Sequence, residues 1–176
     1  MNILYASEQL HKYRPKQNGL ISEKNFDHLA SAPDHTEGRF YLLSKIHKKG
    51  VPGRPICSSV NHPTSRVSKL VDEHIKKYVP ETDSYIRDTQ DFISKIKSLG
   101  QIPEGALLCT FDVSSLYTNI PNEEGIEAVA KKLRSDPSKI PIAEYIIDLL
   151  RLMLTDMNFE FNSEHFKLVA QQWGLH

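Results

Sequence analysis

Apolar side chains recur at helical spacing in two stretches between residues 65 and 100, each bounded by residues that cap or stop helices. Positions i, i+3, i+4 and i+7 are apolar in both, which predicts helices with one buried stripe. Pro80 ends the first helix, Asp88 or Thr89 caps the second, and Gly100 lies just past its end. The stripes are Val67, Leu70, Val71, His74, Ile75 and Tyr78 in the first helix and Phe92, Ile93, Ile96 and Leu99 in the second.

Two further amphipathic helices are predicted in the second half of the chain. Asn122 caps the first, whose acidic first turn and basic last turn suit the helix dipole. Pro141 opens the other at a favoured first-turn position. Their stripes are Ile126, Val129, Ala130 and Leu133, and then Ile142, Ile146, Leu149, Leu150 and Met153. A shorter helix is predicted for residues 22–30.

Short apolar runs that flank turn residues predict two β-hairpins. Residues 39–43 and 54–60 enclose a basic loop that is closed by glycine and proline, a pattern typical of a hairpin. Residues 158–161 and 165–168 form a second strand pair around Asn162 and Ser163. Antiparallel hairpins together with packed helices, without any repeat, predict an α+β fold.

The continuous apolar run at residues 106–113 predicts a buried central strand, and Asp112 lies near its end. A buried carboxylate costs several kcal/mol unless it has a partner, so its uses are a metal ion, a fixed hydrogen-bond network or proton transfer. Alternatively, Asp112 lies just outside the strand and caps the turn at Ser114 and Ser115. No second carboxylate has a comparable strand context.

The distribution of charge along the chain is more informative about function than the overall composition is. Among the 176 residues, 39% are hydrophobic and 25% are charged, the balance of an ordinary globular protein, and the formal net charge is zero. Residues 38–80, however, hold nine basic and only two acidic side chains. Four of the basic residues lie in the first hairpin: Lys45, Lys48, Lys49 and Arg54. Lysine point charges and an arginine fork bind phosphate oxygens. The alternative is a solvated loop.

Several classes of protein are excluded by the same sequence. Cys57 and Cys109 are far apart, so a disulfide framework and a zinc site lack partners, and we expect a reducing compartment. The first fifteen residues show no basic region followed by an apolar run, so no signal peptide is predicted. The most apolar stretch, residues 146–154, is far shorter than the ~20 residues that a membrane span needs.

Three blocks of sequence together resemble the reverse transcriptase of Penelope-like retroelements. They are Phe40-Tyr-Leu-Leu-Ser-Lys-Ile-His-Lys, Gly53-Arg-Pro-Ile-Cys-Ser-Ser and Thr110-Phe-Asp-Val-Ser-Ser-Leu-Tyr-Thr-Asn-Ile-Pro. Residues 63–72 and 86–92 are also similar to that family, and the resemblance covers residues 39–166. It implies a fingers-like region at residues 39–100, with a basic hairpin and helices, and a partial palm at residues 101–176. Residues 1–38, which are polar, are expected to form a weakly ordered lead-in.

The resemblance also implies roles for individual residues. Lys45 matches the lysine of the first block and Arg54 the arginine of the second, both of which hold the triphosphate of the incoming nucleotide. Asp112 matches the aspartate that binds catalytic Mg²⁺, and the backbone carbonyl of Val113 binds the same metal. Tyr117 matches the aromatic residue that lies under the sugar and rejects a 2′-hydroxyl.

The wider expectations follow from the family too. Lys48 and Lys49 contact nucleic acid, and the partners are an RNA template, a DNA primer and deoxynucleotide triphosphates, with no membrane. The activity is two-metal nucleotidyl transfer, in which paired Mg²⁺ ions activate the primer hydroxyl and neutralise the leaving pyrophosphate. The expected location is inside the cell, with the nucleus favoured because such polymerases act on chromosomal DNA.

The chain departs from the family after its first palm block. The block that contacts the template does not follow, and no Asp-Asp dipeptide occurs among the 176 residues. We therefore expect a reverse transcriptase fold with an incomplete palm, a partial antiparallel sheet with packed helices, that binds Mg²⁺ weakly. It is expected to be inactive alone and to self-associate through the open sheet. The alternatives are a non-catalytic nucleic-acid or nucleotide-binding fragment, and an inert product of a decayed element.

Overall fold

Helices and short strands alternate along the chain in the computed structural model. The model describes residues 11–12, 20–30, 36–114, 116–137, 140–155 and 158–167. The side chains of residues 117 and 118 are not described. The elements are α1 (Glu23–Ala30), β1 (Gly38–Ser44), β2 (Gly53–Ser58), α2 (Ser65–Ile75), a 3₁₀ helix (Lys76–Glu81), α3 (Thr89–Ser98), α4 (Leu116–Asn119), α5 (Asn122–Arg134), α6 (Ile140–Thr155), β3 (Asn158–Phe161) and β4 (Glu164–Lys167). The predicted α+β class is confirmed. Most of the lead-in at residues 1–38 lies outside the described residues.

The strands form one four-stranded sheet in the order β2-β1-β3-β4. Both predicted hairpins are confirmed, since β1 pairs antiparallel with β2 and β3 pairs antiparallel with β4. The sheet is not wholly antiparallel, because β1 pairs in parallel with β3 through only two positions, Gly38 with Phe159 and Arg39 with Glu160. The two hairpins therefore meet at the base of β1, and its remaining residues extend from that junction with β2 as their neighbour.

The hydrophobic core consists of three helices packed together, with α6 at its centre. Buried side chains come from α2, α5 and α6: Val67, Val71, Ile126, Ala130, Leu133, Ala143, Tyr145, Ile146, Ile147, Leu149, Leu150 and Leu152. The helical stripes of these elements were predicted in the correct register. Asn122 differs from its predicted role as a cap, because its side-chain Nδ2 donates to the Leu154 carbonyl oxygen at 2.9 Å, which ties α5 to the end of α6. Pro121 occupies the N-cap position instead.

Aromatic rings hold the two hairpins together. The Phe40 ring in β1 stacks on Phe159 with ring centroids 5.5 Å apart and meets Phe161 edge-on at 5.3 Å. Phe159 also stacks on Phe166 at 5.4 Å. Outside the rings, His165 Nδ1 lies 2.5 Å from a carboxylate oxygen of Glu37, next to β1. The second hairpin therefore covers the Phe40 face of β1 near the N-terminal end of that strand.

Pro55 lies on the free edge of the sheet. The Lys45 amide donates to the Pro52 carbonyl at 2.9 Å, so hydrogen-bonded pairs alternate from there along β1 and β2. The Leu42–Pro55 pair falls between two such pairs, which turns the Pro55 nitrogen toward the outer edge of β2. Proline has no amide to donate, and this placement is the one that sheets tolerate.

Two sequence expectations about packing are wrong. Residues 106–113 form no strand in the described chain, and Leu107, Leu108 and Phe111 are 88%, 86% and 95% exposed. The helix α3 begins at the predicted cap, where the Asp88 side chain accepts from the Asp91 amide, but none of its residues is buried. Residues 106–113 and α3 thus both have an apolar pattern, but no described element covers their apolar side chains.

Candidate phosphate-binding hairpin

The tip of the β1–β2 hairpin is a folded loop held by backbone hydrogen bonds. The Lys48 amide donates to the Lys45 carbonyl and the Val51 amide to the Lys48 carbonyl, both at 3.0 Å. Gly50 and Val51 follow with φ of 78° and 44°. Glycine adopts this region freely, whereas a β-branched residue there is strained. The loop therefore has a defined shape, which presents the side chains of residues 45–49 together.

The predicted cations lie on this hairpin and are open to solvent. Lys48, Lys49 and Arg54 are exposed and Lys45 is half-buried. Within the described parts of the chain, no carboxylate lies within ion-pairing distance of any of the four. Arg54 stands directly across from Leu43 in the strand register, so its guanidinium projects from a paired strand rather than from a loose loop. The geometry brings the four cations to one end of the sheet.

Cations elsewhere in the structure are differently placed, because many of them have a carboxylate partner. The ion pairs, with their N–O distances, are Lys76–Asp72 at 3.6 Å, Lys95–Asp91 at 3.4 Å, Lys132–Glu81 at 2.9 Å, Arg134–Glu144 at 2.6 Å and Arg151–Glu123 at 2.6 Å. The Arg134 guanidinium also holds the pKa of the Glu144 carboxyl below its usual value through two hydrogen bonds. The hairpin thus differs from the helical surface, where these five cations are neutralised by carboxylates of the protein.

Asp112 lies in an exposed, irregular segment and not in the buried strand that was predicted. Its carboxylate makes no ion pair or hydrogen bond to any described residue. The desolvation argument for a functional partner therefore does not apply, since the group remains in water. No hydrogen bond or ion pair joins Asp112 to Lys45 or Arg54 in the described structure, and Val113 next to it is 58% exposed.

The donor set for Mg²⁺ is incomplete in the part of the chain that the structure covers. Magnesium prefers carboxylate oxygens, and a two-ion site needs several of them to converge. Across the described ranges, no group of three His, Cys, Asp or Glu side chains is close enough to hold a metal ion. One exposed carboxylate and one backbone carbonyl do not fit the paired ions that the resemblance implies.

The third predicted block continues into a short helical turn. Tyr117 lies in α4, and its side chain is outside the described part of the structure. Asn119 closes this turn, because its Nδ2 donates to the Ser114 carbonyl at 2.6 Å. The alternative, in which Asp112 caps the turn at Ser114 and Ser115, stays a prediction, because Ser115 lies outside the described residues.

Two other features bear on where chemistry takes place. Burial raises the pKa of the Cys57 thiol in β2, so this cysteine is not an activated nucleophile at neutral pH. A cleft of about 370 Å³ separates α1 from α2 and α6, with His28, His74 and apolar side chains in its walls. None of the predicted site residues lines it.

Sequence reasoning missed Arg39 and Tyr41, which share one face of the hairpin with Arg54. The sequence could have placed Arg39 and Tyr41 on one face, because alternate residues of a strand point to the same side and the two hairpin strands were predicted correctly. Only the register, which sets Tyr41 opposite Ile56 and Leu43 opposite Arg54, shows that these side chains form one surface.

Comparison with known proteins found no matching family model, no matching curated protein and no matching solved structure. Over the described ranges, no helix is long and apolar enough to cross a bilayer. The family resemblance therefore rests on the three sequence blocks quoted above.

Proposed function

We propose that this chain corresponds to the fingers and part of the palm of an RNA-directed DNA polymerase similar to those of Penelope-like retroelements, and that its β1–β2 hairpin binds phosphate groups of a nucleotide or nucleic acid. The support for the first part is the order and spacing of the three blocks. The support for the second is the hairpin itself. The two parts can be tested separately.

One observation carries the phosphate-binding proposal: the four hairpin cations have no carboxylate partner among the described residues, while five cations on the helices do. Like charges placed together without counter-charges repel one another, so the arrangement costs stability unless an anion neutralises it. A phosphate ester supplies that negative charge. The lysines act as point charges, and the Arg54 fork accommodates two phosphate oxygens.

The same cations would favour nucleotidyl transfer by opposing the negative charge that develops on the triphosphate. When bound, Mg²⁺ would supply the activation of the primer hydroxyl. The described carboxylates do not fit a paired-ion site, however, and we assign no step of the reaction to this chain. The exposure of Asp112 favours the second candidate function, a non-catalytic module that binds nucleic acid or nucleotide through the hairpin alone.

Binding of a fluorescent single-stranded oligonucleotide across a range of salt concentrations tests the phosphate proposal. The logarithm of the binding constant should fall linearly with the logarithm of salt, by about 0.7 per phosphate contact. We expect Arg54→Ala to weaken binding and to reduce the slope by about 0.7, and the double variant Lys48→Gln/Lys49→Gln to reduce it by about 1.4.

The matched control is Lys76→Gln, which removes one positive charge from a lysine that is paired with Asp72. We expect this variant to leave the slope nearly unchanged. Binding that does not depend on salt, or equal effects of Lys76→Gln and Arg54→Ala, would contradict a phosphate site on the hairpin.

Primer extension on an RNA template with Mg²⁺ tests catalysis. We expect no product from this chain, because its described carboxylates do not fit a paired-ion site. Extension by the wild-type chain that Asp112→Ala abolishes would overturn that expectation and favour an active polymerase.

A further inference from the structure

The cleft of about 370 Å³ lies between α1 on one side and α2 and α6 on the other. Small-molecule pockets measure about 300–1,000 Å³, so the cleft has room for a small ligand. All three helices contribute apolar walls, with Leu29 in α1, Leu70 in α2 and Ile142 in α6. No residue of the β1–β2 hairpin lines the cleft. A ligand that binds here therefore acts independently of the phosphate-binding hairpin.

Contacts around the cleft hold its walls in place. The Arg66 Nη1 in α2 donates to the His28 carbonyl oxygen in α1 at 2.6 Å, which ties the two helices together. Ile21, Leu70 and Ile142 in the walls pack against the hydrophobic core. The cleft is therefore formed without a ligand, as most small-molecule sites are.

The His74 ring in the wall has a fixed tautomer. Its Nδ1 lies 2.8 Å from the Leu70 carbonyl oxygen, and a carbonyl oxygen can only accept, so Nδ1 carries the proton. In the neutral ring Nε2 is then an acceptor. Nε2 makes no hydrogen bond to any described residue, and the half-buried ring forms part of the cleft wall. A ligand that pairs with His74 must therefore bring a donor.

The other polar wall residues do not select a ligand in this way. Ser22 and Asn25 can each donate and accept, and both are exposed, as is His28. Among the described residues that line the cleft there is no lysine, arginine, aspartate or glutamate, so the walls supply no fixed charge for an ionic ligand. The two histidines also lack the third ligand that a metal site would need.

We propose that this cleft binds a small apolar ring compound that carries a hydroxyl group, a phenol or an alicyclic alcohol, whose O–H donates to Nε2 of His74. The rings of the ligand contact Leu29, Leu70 and Ile142. An acceptor that loses water without gaining a partner costs free energy, so a ligand with the donor binds better than one of the same shape without it. A carboxylate is disfavoured, because its oxygens would face the lone pair of Nε2.

Three naphthalene derivatives of similar size separate the hydrogen bond from apolar contact. 2-Naphthol has a donor, 2-methoxynaphthalene has none, and 2-naphthoate has a negative charge instead. NMR titrations are run with the full chain at pH 8, where a histidine ring is ordinarily neutral. We expect 2-methoxynaphthalene to bind about two- to tenfold more weakly than 2-naphthol, the value of one neutral hydrogen bond, and 2-naphthoate to bind most weakly.

Variants at the cleft assign the difference to one atom. His74→Phe keeps an aromatic ring and removes the acceptor, so it should abolish the preference for 2-naphthol and leave the affinity for 2-methoxynaphthalene unchanged. His47→Phe, at an exposed histidine of the hairpin tip, is the matched control and should preserve the preference. Leu29→Trp, which fills the cleft, should weaken binding of all three compounds. Circular dichroism melting verifies that each variant is folded.

The ring nitrogens of His74 give a readout that packing alone would not change. A long-range hydrogen–nitrogen correlation spectrum distinguishes the two neutral tautomers, and the signals lost in His74→Phe identify this residue. We expect the free protein to show the proton on Nδ1. 2-Naphthol should move the Nε2 resonance toward that of a protonated nitrogen, whereas 2-methoxynaphthalene should not.

Several outcomes overturn the proposal. Equal affinities of the wild type for 2-naphthol and 2-methoxynaphthalene would show that the cleft is a non-selective apolar groove. Preference for 2-naphthoate, with uptake of a proton by the His74 ring, would identify an anion site instead. A proton on Nε2 in the free protein would remove the need for a donor on the ligand. Absence of binding by all three compounds would remove the cleft as a site for such rings.

Discussion

Gly38 lies against the backbone of Asn158, so that a Cβ at position 38 would stand 2.9 Å from the Asn158 carbonyl oxygen. The Ser58 carbonyl oxygen would be 3.0 Å from the same atom. Both oxygens belong to strands that pair with β1, and neither can move away without disturbing the ladder. Glycine at this position therefore lets β1 join β2 and β3 at one point.

The first prediction concerns this junction. We expect Gly38→Ala to lower the free energy of unfolding by about 1–3 kcal/mol, the usual cost of overpacking, in urea denaturation. Gly125→Ala is the control, because a Cβ there would meet only the Ile120 Cγ2 at 3.8 Å. That variant lies in α5 and should gain about 0.8–1 kcal/mol from helix propensity. Equal losses for both glycines would contradict close packing at the junction.

The second prediction compares two phenylalanines. Phe159 is 7% exposed and stacks on two rings, whereas Phe111 is 95% exposed. We expect Phe159→Ala to cost about 3–5 kcal/mol and Phe111→Ala to change stability by less than about 0.5 kcal/mol, both by urea denaturation. A large cost for Phe111→Ala would mean that residues 106–113 are buried as a strand after all.

The third prediction concerns Tyr145 and alkaline pH. Burial in α6 raises the pKa of this tyrosine to about 12, whereas an unfolded tyrosine ionises near pH 10. The stability contributed by the neutral hydroxyl is therefore complete below pH 10 and is lost as pH rises toward 12, by up to ~1.36 kcal/mol per pH unit.

Urea denaturation between pH 8 and pH 12 measures this loss, and Tyr145→Phe should remove it. The difference between wild type and variant isolates Tyr145 from the other groups that titrate in this range. Identical pH dependence of the two proteins would show that the Tyr145 hydroxyl reaches water in the folded state.

The fourth prediction concerns self-association. Residues 106–111 contain no charge, proline or glycine, which is the composition of segments that pair between chains, and Leu107 and Leu108 are almost fully exposed. We expect the protein to associate as its concentration rises, and Leu108→Asp to reduce the association without changing the unfolding free energy. Sedimentation velocity measures the first effect. A monomer that persists at high concentration would contradict it.

The helices and hairpins could be predicted because their signals are local. Pro141 near the start of α6 and the positive φ of Asn162, 52°, agree with what these residue types favour at a helix start and in a two-residue turn. The stripe of α6 also predicted its burial, since Ile146 and Leu149 lie at its centre.

Residues 106–113 could not be predicted in the same way. A strand is completed by the hydrogen bonds of a neighbour that is distant in sequence, and the apolar run carries no information about whether that neighbour is present. The same reason explains α3, whose caps are local and correct while Phe92 and Ile93 remain exposed.

In the candidate site, too, local features could be predicted from the sequence and features that depend on the fold could not. The cluster of cations at Lys45, Lys48 and Lys49 follows from sequence proximity, and a hairpin brings Arg54 back to it. The shared face of Tyr41 and Arg54 depends on the pairing register, which a single-residue shift would invert. The role of Asp112 depended on burial, and burial is a property of the whole fold.

Pro55 makes the two outer edges of the sheet unequal in their capacity to pair with a further strand. The outer side of β2 lacks one of the amides that a new neighbour would need, whereas β4 on the opposite flank contains no proline. Addition of a further strand is therefore less favourable beside β2 than beside β4, where the new strand would lie close to the Glu37–His165 contact. The β1–β2 hairpin would then lie at the opposite edge of the enlarged sheet, with its cations still accessible.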